Sequence, residues 1–142
     1  MGDYIYILVP VSIWLLIQIW KFLYDMIKVK KVNLKRLLGA GGMPSSHSAV
    51  VTALATLVGV NEGFNTPIFA ITVFFSLIVI YDACGVRRAA GKQARILNQI
   101  INNKNLAANV VNEKLTELLG HTPFEVLVGS VIGIAYALCF VI

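Results

Sequence analysis

Residues 4–20 read YIYILVPVSIWLLIQIW, a run without a charged side chain. A helix rises about 1.5 Å per residue, so roughly 20 mostly apolar residues cross the roughly 30 Å hydrocarbon core of a bilayer. The run is bracketed by Tyr4 and Tyr6 on one side and Trp20 and Tyr24 on the other. Such amphipathic aromatics settle at membrane–water interfaces. Working outward from this segment, three further apolar stretches complete a predicted set of spans at 4–23, 44–60, 64–81 and 123–142. The intervening segments 24–43 and 82–122 are expected on the cytoplasmic face.

Composition points the same way. Of 142 residues 58% are hydrophobic and only 13% charged, with a mean hydropathy of +0.79. Soluble domains carry about 25% charged residues, and a small globule has too little interior to hide this much apolar side chain. A soluble enzyme and a disordered tail are thereby excluded. The expected fold class is all-α: a membrane-embedded helical bundle forming one domain over residues 1–142, with amphipathic helices at its cytoplasmic face.

The net charge of +5 comes from 12 basic and 7 acidic residues, and placement matters more than sum. Lys21, Lys28, Lys30, Lys31, Lys35 and Arg36 lie between the first and second spans; Arg87, Arg88, Lys92, Arg95, Lys104 and Lys114 lie between the third and fourth. All therefore fall on one side, which the positive-inside rule assigns to the cytoplasm. The expectation is a multi-pass cell-membrane protein with both termini outside. No basic arm or nucleic-acid motif is present, so nucleic acid is not an expected partner. Cys84 and Cys139 have neither disulfide-framework nor metal spacing. Met1-Gly2-Asp3 lacks the positive start of a secretory signal. Within 84–120, Ala94, Leu97 and Ile101, then Leu106, Val110, Leu115 and Leu118, recur at helical spacing around Asn102-Asn103. This predicts two amphipathic helices on the cytoplasmic face.

Three groups of residues do not suit an anonymous bundle. Gly39-Ala40-Gly41-Gly42-Met43-Pro44-Ser45-Ser46-His47-Ser48 is a glycine-rich loop entering a helix. Its free N–H groups and dipole favour an anion. Ser45 or Ser46 alone is no more than a capping hydroxyl, but an ionisable His47 inside a span is costly and points to function. Asp82, near the end of the third span, opposes the helix dipole and requires a cation, Arg87 or Arg88. With Lys92 these arginines read as a phosphate-binding cluster. Gly120-His121-Thr122-Pro123-Phe124-Glu125 opens the fourth span. Thr122 and Glu125 fit a capping box, which by itself accounts for Glu125 but not for His121. The expected topology carries all three groups to the cytoplasmic interface, and there they form one candidate site.

Pro44-Ser45-Ser46-His47 resembles the P-S-G-H motif of the acid phosphatase and vanadium-haloperoxidase superfamily, with Ser46 in place of glycine. His121-Thr122-Pro123-Phe124-Glu125 resembles its H-x-x-x-D ending, with Glu125 in place of aspartate. Together with 81–92 these segments resemble the divergent branch of the type-2 phosphatidic acid phosphatase family. The superfamily's K-x6-R-P motif is absent, and the positions expected to carry Ser-Arg upstream of the histidine are Lys114 and Leu115. Arg87, Arg88 and Lys92 stand as candidates for the missing cations.

The resemblance implies a lipid phosphate phosphatase that needs no cofactor. His121 would be the nucleophile forming a phosphohistidine, and Glu125 would orient its ring, four residues on, if His121 joins the first helical turn. His47 would be the general acid and then the base. Ser45, Ser46, Gly41, Gly42, Arg87, Arg88 and Lys92 would hold the phosphoryl oxygens, with Asp82 positioning an arginine. Phosphatidylglycerol phosphate, phosphatidic acid and prenyl phosphates all suit a site at the inner leaflet. The competing class is a non-catalytic lipid-binding or scaffolding protein, or a small transporter component. Gly129 and Gly133 permit close helix approach, either for a homodimer or inside the bundle.

Overall fold

The computed structural model describes residues 4–29, 42–102, 115, 117 and 119–141. Among them the chain is all-helical, in the order α1 (Ile5–Val29), α2 (Ser46–Glu62), α3 (Pro67–Cys84), α4 (Val86–Asn102) and α5 (Pro123–Leu138). The all-α expectation holds. By length and apolarity two helical stretches suffice to cross a bilayer, Ile5–Lys28 and the continuous α3–α4 stretch Pro67–Asn102, while α5 is apolar but shorter.

Helix α2 sits at the centre, packed on α5, α3 and α1. Its position explains its composition: a helix surrounded by others needs small side chains more than greasy ones. Ala49, Ala53 and Leu57 are completely buried and meet Val9, Ile13 and Ile17 of α1 and Ala137 of α5. On the α5 side the approach is closest at Gly129 and Gly133. A Cβ at Gly129 would collide with the Ser45 carbonyl and the Ser48 hydroxyl, and one at Gly133 with the Ala49 carbonyl and the Thr52 hydroxyl. The glycine pair is thus spent on α2 inside the bundle, and the face suggested for a homodimer is already occupied.

Small hydroxyls stitch the helices together. The Thr52 Oγ1 donates to Ser130 O at 3.1 Å, the Ser76 Oγ donates to Val51 O at 3.1 Å, and the Ser12 and Tyr136 hydroxyls meet at 2.9 Å. Such interhelical bonds are worth about 0.6 kcal/mol each in a membrane, so they set register more than stability. The outer faces are apolar: Trp14, Leu15 and Ile19 on α1, Ile71, Phe74 and Ile78 on α3, and Leu127 and Val131 on α5 are exposed. A monomer in water rarely shows contiguous apolar surface on this scale, and lipid is its natural solvent.

Antiparallel packing fixes the ends. At one end the Tyr6 hydroxyl of α1 donates to the Glu62 carboxylate of α2 at 2.5 Å. The opposite end gathers the C-terminal half of α1 and the starts of α2 and α5. At α3 the chain breaks at Gly85, whose N–H returns to Tyr81 O at 2.8 Å before α4 begins. Helix α4, described over Val86–Asn102, is amphipathic as expected. Its buried stripe is Gly91, Ala94 and Asn98, whereas Leu97 of the expected apolar stripe is exposed. The cause is Asn98, a polar residue turned inward because it clamps a backbone segment: its amide bonds both the N–H and the carbonyl of Leu115 at 2.9 Å. The second expected amphipathic helix falls mainly on 103–114, outside the described residues, and Leu115, Glu117 and Leu119 are not helical.

Candidate active site

The site is assembled at that end by local sequence signals. Ser45 caps α2, its Oγ accepting from Ser48 N at 3.4 Å, and its own N–H donates to Glu125 O at 3.1 Å, pinning the start of α2 to the first turn of α5. Helix α5 begins with Thr122 as cap and Pro123 at the first helical position, and the capping box with Glu125 is complete: Thr122 N donates to Glu125 Oε2 at 2.8 Å, and Glu125 N to Thr122 Oγ1 at 3.3 Å. His121 therefore precedes the cap. This corrects the expectation that it joins the first turn, because a helix that starts at Pro123 leaves His121 outside its i, i+4 spacing. The Glu125 carboxylate is turned to the Thr122 N–H rather than hydrogen-bonded to the His121 ring.

His121 is placed instead by α3 and α4. Its N–H donates to Ala83 O at 2.9 Å. The preceding Gly120, at φ +80°, lies on the backbone of Arg87 and Arg88, where a Cβ would collide with Arg88 N. Asn98 also holds the Glu117 carboxylate at 2.8 Å, and Gly91 lets the 117–119 backbone approach α4, since a Cβ there would come within 2.7 Å of Glu117 O.

The outcome is a histidine pair. His47, in the first turn of α2, and His121 have ring centroids 5.7 Å apart at an interplanar angle of 73°. His121 is 2% exposed, and among the described residues neither its Nδ1 nor its Nε2 has a hydrogen-bond partner; the Nδ1 of His47 is likewise buried without one. Leaving such atoms unpaired costs about 1–3 kcal/mol each, so they mark a place built for something other than stability.

Of the expected phosphate-binding residues, Ser45 and Ser46 are buried beside His47, with Ser45 Oγ engaged as cap. Gly42 takes φ +82°, the conformation for which glycine is suited; Gly41 lies outside the described residues. Arg87 Nε meets Asp82 Oδ2 at 2.6 Å, as the unfavourable dipole of Asp82 requires, and both charges act on the His47 ring. This pair is largely exposed, so its net stabilisation is at most about 1 kcal/mol and its purpose is orientation. Arg88, half-buried, and Lys92, exposed, both lie on α4.

One residue belongs here that sequence reasoning counted only toward topology. Lys21 of α1 is 4% exposed, and its charge acts on both histidines. Gln18, Lys21 and Asp25, spaced along one face of an otherwise apolar helix, are the signal that could have shown it.

Burial, then the positive charge of Lys21, pushes the His121 imidazole down from 6.5 to about 4. The ring is thereby neutral near pH 7, with a lone pair available. A depressed basic pKa means that the folded chain binds fewer protons than the unfolded one, so the His121 contribution to stability is present above about pH 6.5 and is lost as pH falls toward 4. In ring-labelled NMR, His121 is expected to show no titration between about pH 6 and 8; a midpoint near that of free histidine contradicts this environment.

An all-helical bundle with lipid-suited outer faces and two inward imidazoles at one end defines a membrane protein with a candidate acid–base and nucleophilic centre. The chain belongs to the family described as the Divergent PAP2 family, whose model matches residues 3–136. It is 39% identical over 132 residues to an uncharacterized membrane protein, YuiD, of Bacillus subtilis (strain 168), covering 85% of this chain and 84% of that one. No solved structure matches. The family and this relative together make the chain a phosphatase-related membrane protein.

Proposed function

We propose that the protein is a membrane lipid phosphate phosphatase acting at the cytoplasmic interface through a phosphohistidine. The observation that carries this reading is the His47–His121 pair, with the His121 ring buried and ring nitrogens of both unpartnered among the described residues. In this reading α1, α2, α3 and α5 all cross the bilayer, both termini face outward, and the segregated Lys and Arg residues lie inside.

A neutral His121 nitrogen attacks phosphorus and the ester bond breaks. His47 gives a proton to the departing alcohol, then takes one from the water that cleaves the phosphorus–nitrogen bond, and inorganic phosphate leaves. Lys21 and Arg87, with Asp82 holding the latter, balance the phosphoryl charge; Ser45, Ser46 and the Gly41-Gly42 amides line the same side. Arg88 and Lys92 recruit anionic headgroups from α4. A phosphomonoester of a phospholipid or prenyl lipid, or a prenyl pyrophosphate, fits a site whose headgroup end is polar and whose flanks are lipid.

Glu125 serves this scheme through its charge, which favours the His121 imidazolium that forms on attack, while its carboxylate holds the cap. Gln also fits a capping box, so Glu125→Gln is expected to keep the fold yet slow turnover by about 10²-fold or more. Undiminished phosphate release from this variant reduces Glu125 to a cap. A binding protein without turnover is favoured by one observation, the absence of a hydrogen-bonded orienter on His121. Phosphate release from a panel of lipid phosphates in mild detergent separates the two, since only the phosphatase frees phosphate.

A further inference from the structure

A groove of about 650 Å³ runs along α1, walled by α5 and by the segment that leads into α2. This lies within the roughly 300–1,000 Å³ of ligand pockets. Its apolar walls include Leu16 and Trp20 of α1 and Val128 and Ile132 of α5. Leu16 and Trp20 are 49% and 60% exposed, so the groove is open on the lipid-facing side of the bundle. At one end the walls turn polar with Lys21 and Asp25.

Its dimensions and direction are informative. From Ile13 to Asp25, both on its wall, a helix rises about 18 Å, slightly more than the roughly 15 Å of hydrocarbon in one leaflet. The polar end coincides with the candidate site on two counts. The wall formed by Gly42, Met43 and Pro44 leads directly into Ser45, Ser46 and His47. Lys21, which lines the groove, acts with its charge on both imidazoles, as Arg87 does from α4. A molecule with an anionic head at Lys21 and an apolar tail along α1 complements this arrangement in both charge and polarity.

We infer that the groove between α1 and α5 seats one hydrocarbon chain of the lipid whose phosphate lies at the His47–His121 pair, an inference that rests on the lipid phosphate reading of that pair. The lipid enters sideways past Leu16 and Trp20, and its head reaches the histidines without leaving the depth of the inner leaflet. Selectivity then resides in the chain as well as the head: a phosphomonoester without a long apolar chain lacks the contacts that hold it.

The test uses the full chain in phosphatidylcholine vesicles and a photoreactive probe, dodecyl phosphate carrying a diazirine at the far end of its chain. Mass spectrometry is expected to find the label on the α1 and α5 peptides about Ile13 and Ile132, displaced by unlabelled dodecyl phosphate and not by inorganic phosphate. Because an indole would fill the space that the chain occupies, Val128→Trp and, separately, Leu16→Trp are each expected to cut labelling about tenfold. They should also lower by a similar factor the ratio of kcat/KM for dodecyl phosphate over glycerol phosphate. Label spread equally over the outer face of α3, or undiminished by both substitutions, overturns the inference. So does exclusion of the probe from α1 and α5 until dilution, the result expected if a second copy fills the groove. If wild type hydrolyses neither phosphate, the phosphatase reading fails while the labelling pattern still decides whether a lipid chain occupies the groove.

Discussion

Replacing His121 by alanine is expected to abolish phosphate release while the protein still inserts and folds. The side chain is enclosed, yet neither ring nitrogen bonds to any of the described residues. Its removal therefore breaks no hydrogen bond, and the lost packing is offset in part by relief of two unpaired buried polar atoms. Chemistry bears the loss instead. Members of a concerted nucleophile–base set fall together, so turnover should drop by about 10³-fold or more, and His47→Ala should fall by about 10²–10⁴-fold. Because the two act on one reaction, the double variant should be scarcely slower than the worse single one. Phosphate release by the single variants and the double variant in detergent, with intrinsic Trp fluorescence to confirm folding, checks this. Full activity in either single variant removes the pair from the mechanism.

The largest structural effect is expected at the α2–α5 seam. In Gly129→Val or Gly133→Val the new side chain meets helix backbone, the Ser45 carbonyl in one case and the Ala49 carbonyl in the other. Backbone within a packed helix cannot yield as a flexible side chain does. The cost should reach or exceed the top of the about 1–3 kcal/mol typical of overpacking. The seam also carries the Ser45–Glu125 and Thr52–Ser130 links, so parting it draws His47 away from His121. Both variants are expected to melt well below wild type in detergent and to lose activity together with stability. If the glycines serve a second copy instead, the monomer will melt normally and only the oligomeric state will change.

These expectations show which parts of the architecture were readable from the sequence. The cap of α5 was, because Thr122, Pro123 and Glu125 occupy positions where each has one local reason to be. The Asp82–Arg87 pair was as well, since a carboxylate at a helix C-terminus calls for a cation nearby. The same Pro123 argues against His121 in the first turn, a conflict that the i, i+4 spacing hid. Gly129 and Gly133 announce a close approach but not the partner, which only the packed bundle supplies. Lys21 sits at the end of a span, where any lysine fits the topology; its burial and its effect on both histidines arise only in the packed bundle. Asn98 turns inward for a backbone segment 17 residues away, which periodicity of apolar residues cannot foresee.

In this mechanism His121 carries the phosphoryl group, and trapping the phosphorylated protein shows whether it does. Lipid phosphate labelled with radioactive phosphorus would be mixed with the protein in detergent, quenched in alkali, where phosphohistidine survives, and digested for mapping by mass spectrometry. The account expects label on His121 that is lost in acid, accumulates when His47 is replaced by a residue unable to activate water, and is absent from His121→Ala. Phosphate release from wild type with no label on His121 under any quench, or equal label in His121→Ala, would contradict it.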